Sequence, residues 1–330
     1  DRGHSAEWKE TEMQDYVENQ FRKCTLAAPD QILVATDMTD IDYLMPHAVA
    51  QAKAGGAHVR LIHAIQPSDI IPIETASAPY LDLSKLDRDI RLDLLGLARQ
   101  IEAQGVSCEG VARRGYPSDV IREELSQTGA TRLIMGTHGR GKLGQIALGS
   151  VAHDLLSNLR IPIFVVGPHA RDVGRHATPR RILHPVSLMG DYLESVQLAL
   201  DIAQTYRAEL ILLHVFNPDL KESINPERAL EWAQAALAAL VPDGGNLLPA
   251  VRTLVKCGKL AEEILTAAAQ TQADWIVLGA DGSDRYWSLQ ETAAYRVLTN
   301  ATCPVLTLRH APPHRVEVRD LEDVHLTSPM

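Results

Sequence analysis

The sequence has few aromatic residues, and its charge is not basic. Aromatic residues make up 5% of the 330 positions, with only 3 Phe. This scarcity disfavours a protein that stacks single-stranded bases on aromatic rings. Lys and Arg number 32 against 42 Asp and Glu, a net charge of −10, whereas a duplex-binding protein usually carries a basic face. The composition therefore indicates that nucleic acid is not a partner.

Cysteine and long apolar runs are also scarce. The four cysteines form no Cys-x-x-Cys pair, and they are Cys24, Cys108, Cys257 and Cys303. Such scattering suits reduced thiols in a cytoplasm better than a disulfide framework or a zinc cage. The longest apolar runs, such as Ile161–Val166, are far short of the ~20 residues that a bilayer span needs. No charged-then-apolar segment resembling a signal peptide opens the sequence. We expect a soluble, cytoplasmic protein without a membrane partner.

The chain contains a tandem repeat. QILVATD at Gln31–Asp37 returns as RILHPVS at Arg181–Ser187, and IPIFVV at Ile161–Val166 returns as CPVLTL at Cys303–Leu308. The offset between the copies drifts only from 150 to 142 residues, so insertions are few and small. We expect two copies of one domain with polar flanks, divided as 1–29, 30–168, a linker at 169–179, 180–310 and 311–330. In the first flank, Glu7–Arg22 has apolar residues loosely at helical spacing.

Within each copy, short β-rich apolar runs alternate with longer segments of helical period. The predicted strands of the first copy are Ile32–Thr36, Val59–Ala64, Cys108–Ala112, Arg132–Met135 and Ile163–Val166. The predicted helices lie near Tyr43–Ala54, Leu83–Gln104, Ser118–Gln127 and Ser150–Leu159. Apolar strands that alternate with helices indicate a parallel sheet covered on both faces. We predict an α/β fold of two tandem doubly wound sandwiches, each with a five-stranded parallel sheet of Rossmann or flavodoxin type. Ligands of such sheets bind where the strand order reverses.

The densest chemical signal is the glycine-rich segment Met135–Val151, MGTHGRGKLGQIALGSV. A P-loop pattern that starts at Gly136 has Leu143 where a Ser or Thr would bind magnesium. A dinucleotide fingerprint that starts at Gly139 begins four residues after the predicted strand. Its expected acidic residue would fall inside the next strand. We reject both interpretations.

A third pattern fits every position of this segment. Gly136-x-x-Gly139, nine further residues and then Gly149-Ser150 resemble the nucleotide-binding signature of the universal stress protein family. The resemblance covers both copies, the second more weakly. In this signature the phosphates face glycine amides and the N-terminus of the helix that opens at Gly149-Ser150. We expect the Ser150 hydroxyl to cap that helix and to donate to a phosphate oxygen.

The resemblance implies ATP as the ligand, accompanied by Mg²⁺ or Mn²⁺. It implies that Asp37 meets the adenine amino group, that neighbouring backbone lines the base, and that the glycine segment surrounds ribose and phosphates. The site residues that it carries over are Ala35, Thr36, Asp37, Ala64, Met135, Gly136, His138, Gly139, Gly149, Ser150 and Val151. Arg140 and Lys142 could add positive charge. A carboxylate suits an exocyclic amine, and neutral amides suit a polyanion.

The second copy departs from the signature. Ser187 stands at the position of Asp37, and Glu291-Thr292 replaces the Gly-Ser pair. Asp281 places a carboxylate where the phosphates would lie, and like charges repel. We therefore predict one nucleotide site per chain, in the first copy.

Alternatives remain open for the function and for single residues. Bound ATP could be hydrolysed slowly or transferred to Ser150, or the chain could be a nucleotide-free interaction module. The sequence singles out no Ser–His–Asp arrangement, metal cluster or carboxylate pair that would mark an enzyme. Asp37 could instead cap the following helix. His63 and His214 recur at matching strand positions, and we expect them to be packing residues.

The resemblance also bears on assembly, because family members generally dimerise through their last strands. We expect Ile163–Val166 to pair with Val305–Leu308 within one chain, as an intramolecular pseudo-dimer. Such pairing covers strand edges that would otherwise invite aggregation. A homodimer of the whole chain and an unidentified regulatory protein partner stay open.

Overall fold

Strands and helices alternate in both copies. The computed structural model describes residues 29–66, 83–137, 148–170, 176–188, 192–216, 226–241, 250–280 and 292–309. The first copy contains β1 (Gln31–Ala35), α1 (Ile41–Gly55), β2 (His58–Ile65), α2 (Leu83–Glu102), β3 (Cys108–Arg114), α3 (Pro117–Thr128), β4 (Arg132–Gly136), α4 (Ser150–Asn158) and β5 (Ile163–Val166). The second contains β6 (Arg181–Pro185), α5 (Leu193–Tyr206), β7 (Glu209–Phe216), α6 (Pro226–Ala239), β8 (Val251–Cys257), α7 (Leu260–Thr271), β9 (Trp275–Ala280), α8 (Ala293–Asn300) and β10 (Val305–Arg309).

Local sequence explains where several of these elements begin and end. Pro117 opens α3, where its fixed φ and missing N–H do no harm. Gly56 ends α1 in the left-handed region at φ 69°, and its N–H donates to the carbonyl of Ala52. The predictions for residues 1–28 and 311–330 lie outside the described residues. Within the predicted polar linker, Ala170 and His176 are both buried.

The ten strands form one sheet in the order β3-β2-β1-β4-β5-β10-β9-β6-β7-β8. Within each copy all neighbouring strands are parallel, and the order reverses between β1 and β4 and again between β6 and β9. This confirms the predicted pair of doubly wound, five-stranded units. It also places the topological switch point of the first copy between β1 and β4, where ligands of such sheets bind.

The two units meet through β5 and β10, which pair antiparallel. Val305 lies opposite Val165, Leu306 opposite Phe164, and Thr307 opposite Ile163. The Thr307 hydroxyl also donates to the carbonyl of Ile163 at 3.3 Å. All of these residues are buried. The predicted intramolecular strand pairing is therefore confirmed, and neither strand is left as an open edge.

Each face of the sheet carries its own hydrophobic core. One core packs α1, α2, α5 and α6 against the strands, and the other packs α3, α4, α7 and α8. Because both cores contain helices of both copies, the two domains share continuous packing on either side of the β5–β10 pair.

A polar cluster lies buried where the copies meet on the first face. His47 of α1 lies 5.2 Å from the Phe164 ring, and Phe164 packs 4.8 Å from Trp275. Next to it, the Arg132 guanidinium donates to Gln51 Oε1 at 2.7 Å. Neither ring nitrogen of His47 has a hydrogen-bond partner among the described residues. Burial, with a smaller effect from His176, lowers the pKa of His47 to about 4, so the native protein holds this imidazole neutral.

We expect acidification to destabilise the native chain through His47. An unfolded chain binds a proton at this position below about pH 6.5, whereas the native chain does so only near pH 4. The free energy of unfolding therefore falls as the pH drops through that window. His47→Leu should remove this loss. Leucine is the residue that the second copy has at the corresponding position, Leu198. Urea unfolding at several pH values measures the difference. Between pH 6.5 and 4, each drop of one pH unit should lower the folding equilibrium constant of the wild type by up to about tenfold more than that of His47→Leu.

Asp40→Asn is the matched comparison, because burial raises the pKa of Asp40 to about 7. Because the native pKa of this carboxyl is higher than 3.8, its value in an unfolded chain, the native chain binds the proton first. Protonation of Asp40 therefore raises the free energy of unfolding as the pH falls from about 7 to 3.8. Its removal should therefore steepen the acid loss, in the opposite sense to His47→Leu. Equal pH slopes for the wild type and His47→Leu would show that His47 does not control this behaviour.

Candidate functional site

The predicted site residues of the first copy gather at one edge of the sheet, around the switch point. Ala35 at the end of β1 lies opposite Ile62 of β2 and Met135 of β4. The Thr36 N–H continues the ladder with a hydrogen bond to the carbonyl of Ile62 at 3.1 Å. The predicted residues that the structure brings to this edge are Ala35, Thr36, Asp37, Ala64, Met135 and Gly136.

The turn between β1 and α1 is braced by two side chains. The buried Thr36 hydroxyl accepts from the Met38 N–H at 2.9 Å and donates to Asp40 Oδ1. Asp37 Oδ1 accepts from both the N–H of Thr39 at 2.8 Å and its hydroxyl at 2.7 Å. Met38, between them, adopts a left-handed conformation at φ 73°. These bonds hold the turn in one conformation.

Asp37 is not the cap of α1. The N-cap position belongs to Asp40, whose side chain makes no cap hydrogen bond. Asp37 lies three positions earlier in the sequence, and its Oδ1 accepts a hydrogen bond from the Thr39 N–H within the turn. The alternative of a helix cap is therefore wrong, because the tight turn separates Asp37 from the helix end.

A second carboxyl, Asp40, lies next to Asp37 and is buried. Burial raises the pKa of Asp40 to about 7, the hydrogen bond from Thr36 lowers it, and the charge of Asp37 raises it. Asp40 is therefore protonated in a large part of the molecules near neutral pH. As a result, this edge carries less negative charge than two ionised carboxylates would supply.

His63 and His214 are buried, as expected, and each also makes a hydrogen bond. His63 Nδ1 donates to the carbonyl of Thr36 at 2.8 Å, and His214 Nδ1 donates to the carbonyl of Val186 at 2.9 Å. Each imidazole thus fixes the backbone just beyond the first strand of its copy. Sequence reasoning missed this link to the site, although the recurrence of His after LI and LL was its signal.

The glycine-rich segment is described only at its two ends. Met135 and Thr137 are buried at the end of β4. The Gly149 N–H donates to the carbonyl of Thr137 at 2.9 Å, which sets the start of α4 beside the end of β4. The expectations for His138 and Gly139, and for Arg140 and Lys142, lie outside the described residues.

The N-cap residue of α4 has no side chain that could cap the helix. Gly149 is the N-cap, with φ −64° and ψ 154°, and Ser150 is the first helical residue. The expectation that Ser150 caps the helix is wrong, because Gly149 takes the extended cap conformation and leaves Ser150 one position too late. The N–H groups of the first turn, at Ser150, Val151 and Ala152, have no intrahelical acceptor. Such a helix end suits an anion.

The corresponding helix of the second copy differs at this point. Thr292 is the N-cap of α8, and its hydroxyl accepts from the Tyr295 N–H at 3.3 Å. One amide of that first turn is therefore already used by the protein. Ser187 lies exposed after β6. The predictions for Asp281 and Glu291 lie outside the described residues.

Sequence reasoning also missed Tyr295, which contacts the first copy. Its hydroxyl accepts from the Leu148 N–H at 3.1 Å, directly before Gly149. A single tyrosine with no distinctive neighbours gives no signal of a contact across 147 positions.

Among the described residues, no three His, Cys, Asp or Glu side chains come together as a group that could hold a metal ion. Within the same part of the chain, every helix is too short or too polar to cross a bilayer. Cys108, Cys257 and Cys303 are free thiols.

Comparison with known proteins gives consistent matches. The model of the universal stress protein family matches residues 29–167 and 179–309. The universal stress protein MJ0531 of Methanocaldococcus jannaschii is 28% identical over 137 residues, 41% of this chain and 81% of that protein. A universal stress protein structure from Archaeoglobus fulgidus superposes with a TM-score of 0.64 at 17% identity, over 85% of this chain and 96% of that one. The structure of a functionally unknown protein from Pseudomonas aeruginosa PAO1 superposes with a TM-score of 0.59 at 18% identity, over 86% of this chain and 94% of that one. The two structures show a shared fold.

Thr36→Val should destabilise the protein by about 2 kcal/mol, because it leaves the Met38 N–H and the buried Asp40 carboxyl without their shared partner. Thr39→Val makes the same chemical change at an exposed position and should cost only about 0.5 kcal/mol. Urea unfolding of both variants measures the difference. Equal losses would mean that the Thr36 hydroxyl does not brace the turn.

Proposed function

The chain belongs to the universal stress protein family, and from this premise we propose that it binds ATP at a single site in its first domain. We propose further that it acts in the cytoplasm as a stress-response regulator, whose ATP occupancy is sensed by a partner protein. The observation that carries the proposal is the N-terminus of α4, whose N-cap residue is a glycine, set beside the ends of β1 and β4 at the switch point.

The adenine would lie at the end of β1. Asp37 provides a carboxylate, which is a pure acceptor and matches the donor character of an exocyclic amine. Its turn is held by Thr39 and its neighbour Thr36 by the His63 imidazole, so the acceptor would be positioned before the ligand arrives. Ala35 and Ala64, partly buried alanines at the ends of β1 and β2, leave room for a flat base.

The ribose and phosphates would extend along the end of β4 toward α4. Met135 and Gly136 end the strand, and Gly149, Ser150 and Val151 open the helix. Peptide amides and the positive end of the helix dipole would neutralise phosphate charge. His138 and Gly139 are proposed from the family resemblance alone. Mg²⁺ or Mn²⁺ is proposed to accompany the nucleotide, since such ions bind phosphate oxygens.

The second domain is proposed to lack the site. It offers a serine, Ser187, where the first domain has a carboxylate acceptor. Its helix α8 already uses an N-terminal amide through the Thr292 hydroxyl. These two differences remove both the base-recognising group and part of the anion-binding helix end.

The first test is nucleotide content. Protein purified natively should release adenine nucleotide on denaturation, or should gain thermal stability when about millimolar ATP is added, since a ligand that binds only the native state raises its stability. Calorimetry should give one site per chain, and two equivalent sites would contradict the asymmetric proposal. Failure of both binding assays leaves the interaction-module alternative. Turnover of ATP well above about one per second would instead favour an ATPase.

Asp37→Asn is the sharpest variant for the base end. The amide oxygen can still accept from Thr39, so the turn should survive, but the charge is lost and an N–H donor is introduced. We expect the affinity for ATP to fall about tenfold, because hydrogen bonds to charged groups contribute about 1.5–3 kcal/mol. The preference for ATP over GTP should also shrink, since guanine presents an oxygen there. The control Ser187→Ala should change neither value, and unchanged ATP affinity in Asp37→Asn would refute this role.

Gly149→Val tests the phosphate end. The Gly149 backbone, at φ −64° and ψ 154°, is open to any residue, so the fold should tolerate the branched side chain. Valine would nevertheless crowd the approach to the first amides of α4, and we expect ATP binding to be lost. Circular dichroism checks folding, and calorimetry checks binding. A folded Gly149→Val protein with wild-type affinity would place the phosphates elsewhere.

A further inference from the structure

A hydrogen bond joins the second domain to the phosphate end of the proposed site. Tyr295 belongs to α8 of the second domain, and its hydroxyl accepts from the Leu148 N–H of the first domain at 3.1 Å. The tyrosine is buried, with 9% of its surface exposed. Because water has little access to it, the bond is not readily exchanged for a solvent contact.

The contact lies at the point that fixes the start of α4. Leu148 directly precedes Gly149, whose own N–H donates to the carbonyl of Thr137 in the first domain. Two consecutive amides are therefore held by different domains, one by the end of β4 and one by Tyr295. Together they set the direction in which the first amides of α4, at Ser150 and Val151, point.

Tyr295 is itself held rigidly. Its N–H donates to Thr292 Oγ1 at 3.3 Å, and its carbonyl accepts from the Thr299 hydroxyl at 2.9 Å. Helix α8 also approaches the first domain closely after β5. A Cβ added at Gly167 would lie 3.0 Å from the carbonyl oxygen of Leu298. The tyrosine hydroxyl therefore has a defined position relative to the first domain.

We propose that Tyr295 is a positioning residue through which the second domain sets the nucleotide affinity of the first. This rests on the proposed function. The hydroxyl holds the Leu148 amide and so reduces the conformational freedom that the α4 entrance must lose on binding phosphate. By linkage, a bound nucleotide strengthens the contact between the domains to the same degree. The second domain thus contributes to the site without binding nucleotide itself.

Tyr295→Phe in the full chain tests the proposal, because it removes one oxygen and keeps the ring packing. We expect the dissociation constant for ATP to rise about fivefold, the equivalent of one ordinary hydrogen bond. Tyr206→Phe is the matched control. It makes the same chemical change in α5, on the opposite face of the sheet, where the Tyr206 ring lies 5.1 Å from the Trp275 ring, and it should leave the ATP affinity unchanged.

Amide hydrogen exchange without nucleotide provides a second readout. The Leu148 N–H should exchange about fivefold faster in Tyr295→Phe than in the wild type, whereas the Gly149 N–H, held by Thr137, should change less. Wild-type protein that binds no ATP would end both the proposed function and this inference. ATP binding by the wild type with equal affinity in Tyr295→Phe would overturn this inference alone.

Discussion

The antiparallel pairing of β5 with β10 is the constraint on which the rest of the structure depends. Without it the chain would be two separate five-stranded sandwiches, in which β5 and β10 would each become a further exposed edge strand. With it, Phe164 and Leu306 become central residues of a ten-stranded sheet, and helices of both copies pack into shared cores. The same pairing brings α8 of one domain next to the entrance of α4 in the other, where Tyr295 reaches Leu148.

The two copies meet as unlike halves. On the first face, the first domain contributes His47, Gln51 and Arg132 to the junction, whereas the matching positions of the second domain are Leu198, Ile202 and Trp275. Two identical polar sets would place two guanidinium groups and two imidazoles together in an apolar interior, at a high desolvation cost. Divergence of one copy therefore stabilises the joined form over an assembly of identical domains.

The fold could be predicted from the sequence, because it is encoded locally, whereas the location of the nucleotide site stays a prediction. Apolar runs and helical periods located the strands and helices of the first copy within a few residues, and the spacing of Gly136 and Gly149 pointed to the switch point. The errors were also local. Whether Gly149 or Ser150 caps α4, and whether Asp37 caps α1, depends on backbone angles at single residues. The hydrogen bond between His63 and Thr36 depends on which residues of β1 and β2 lie opposite each other. A single sequence does not specify that strand register for each residue.

The chain is acidic overall, and a polyanion approaching a protein of net charge −10 is repelled at long range. The attraction that the proposed site requires would therefore have to arise within a few ångströms. Helix-end amides act over that distance, and the N-cap residue of α4, Gly149, has no side chain that competes for them. Asp40, whose pKa burial raises to about 7, reduces the opposing charge beside Asp37. The proposed site would depend on the orientation of the peptide groups at the start of α4, which is why we propose that the contact of Tyr295 with Leu148, which orients the backbone there, bears on affinity.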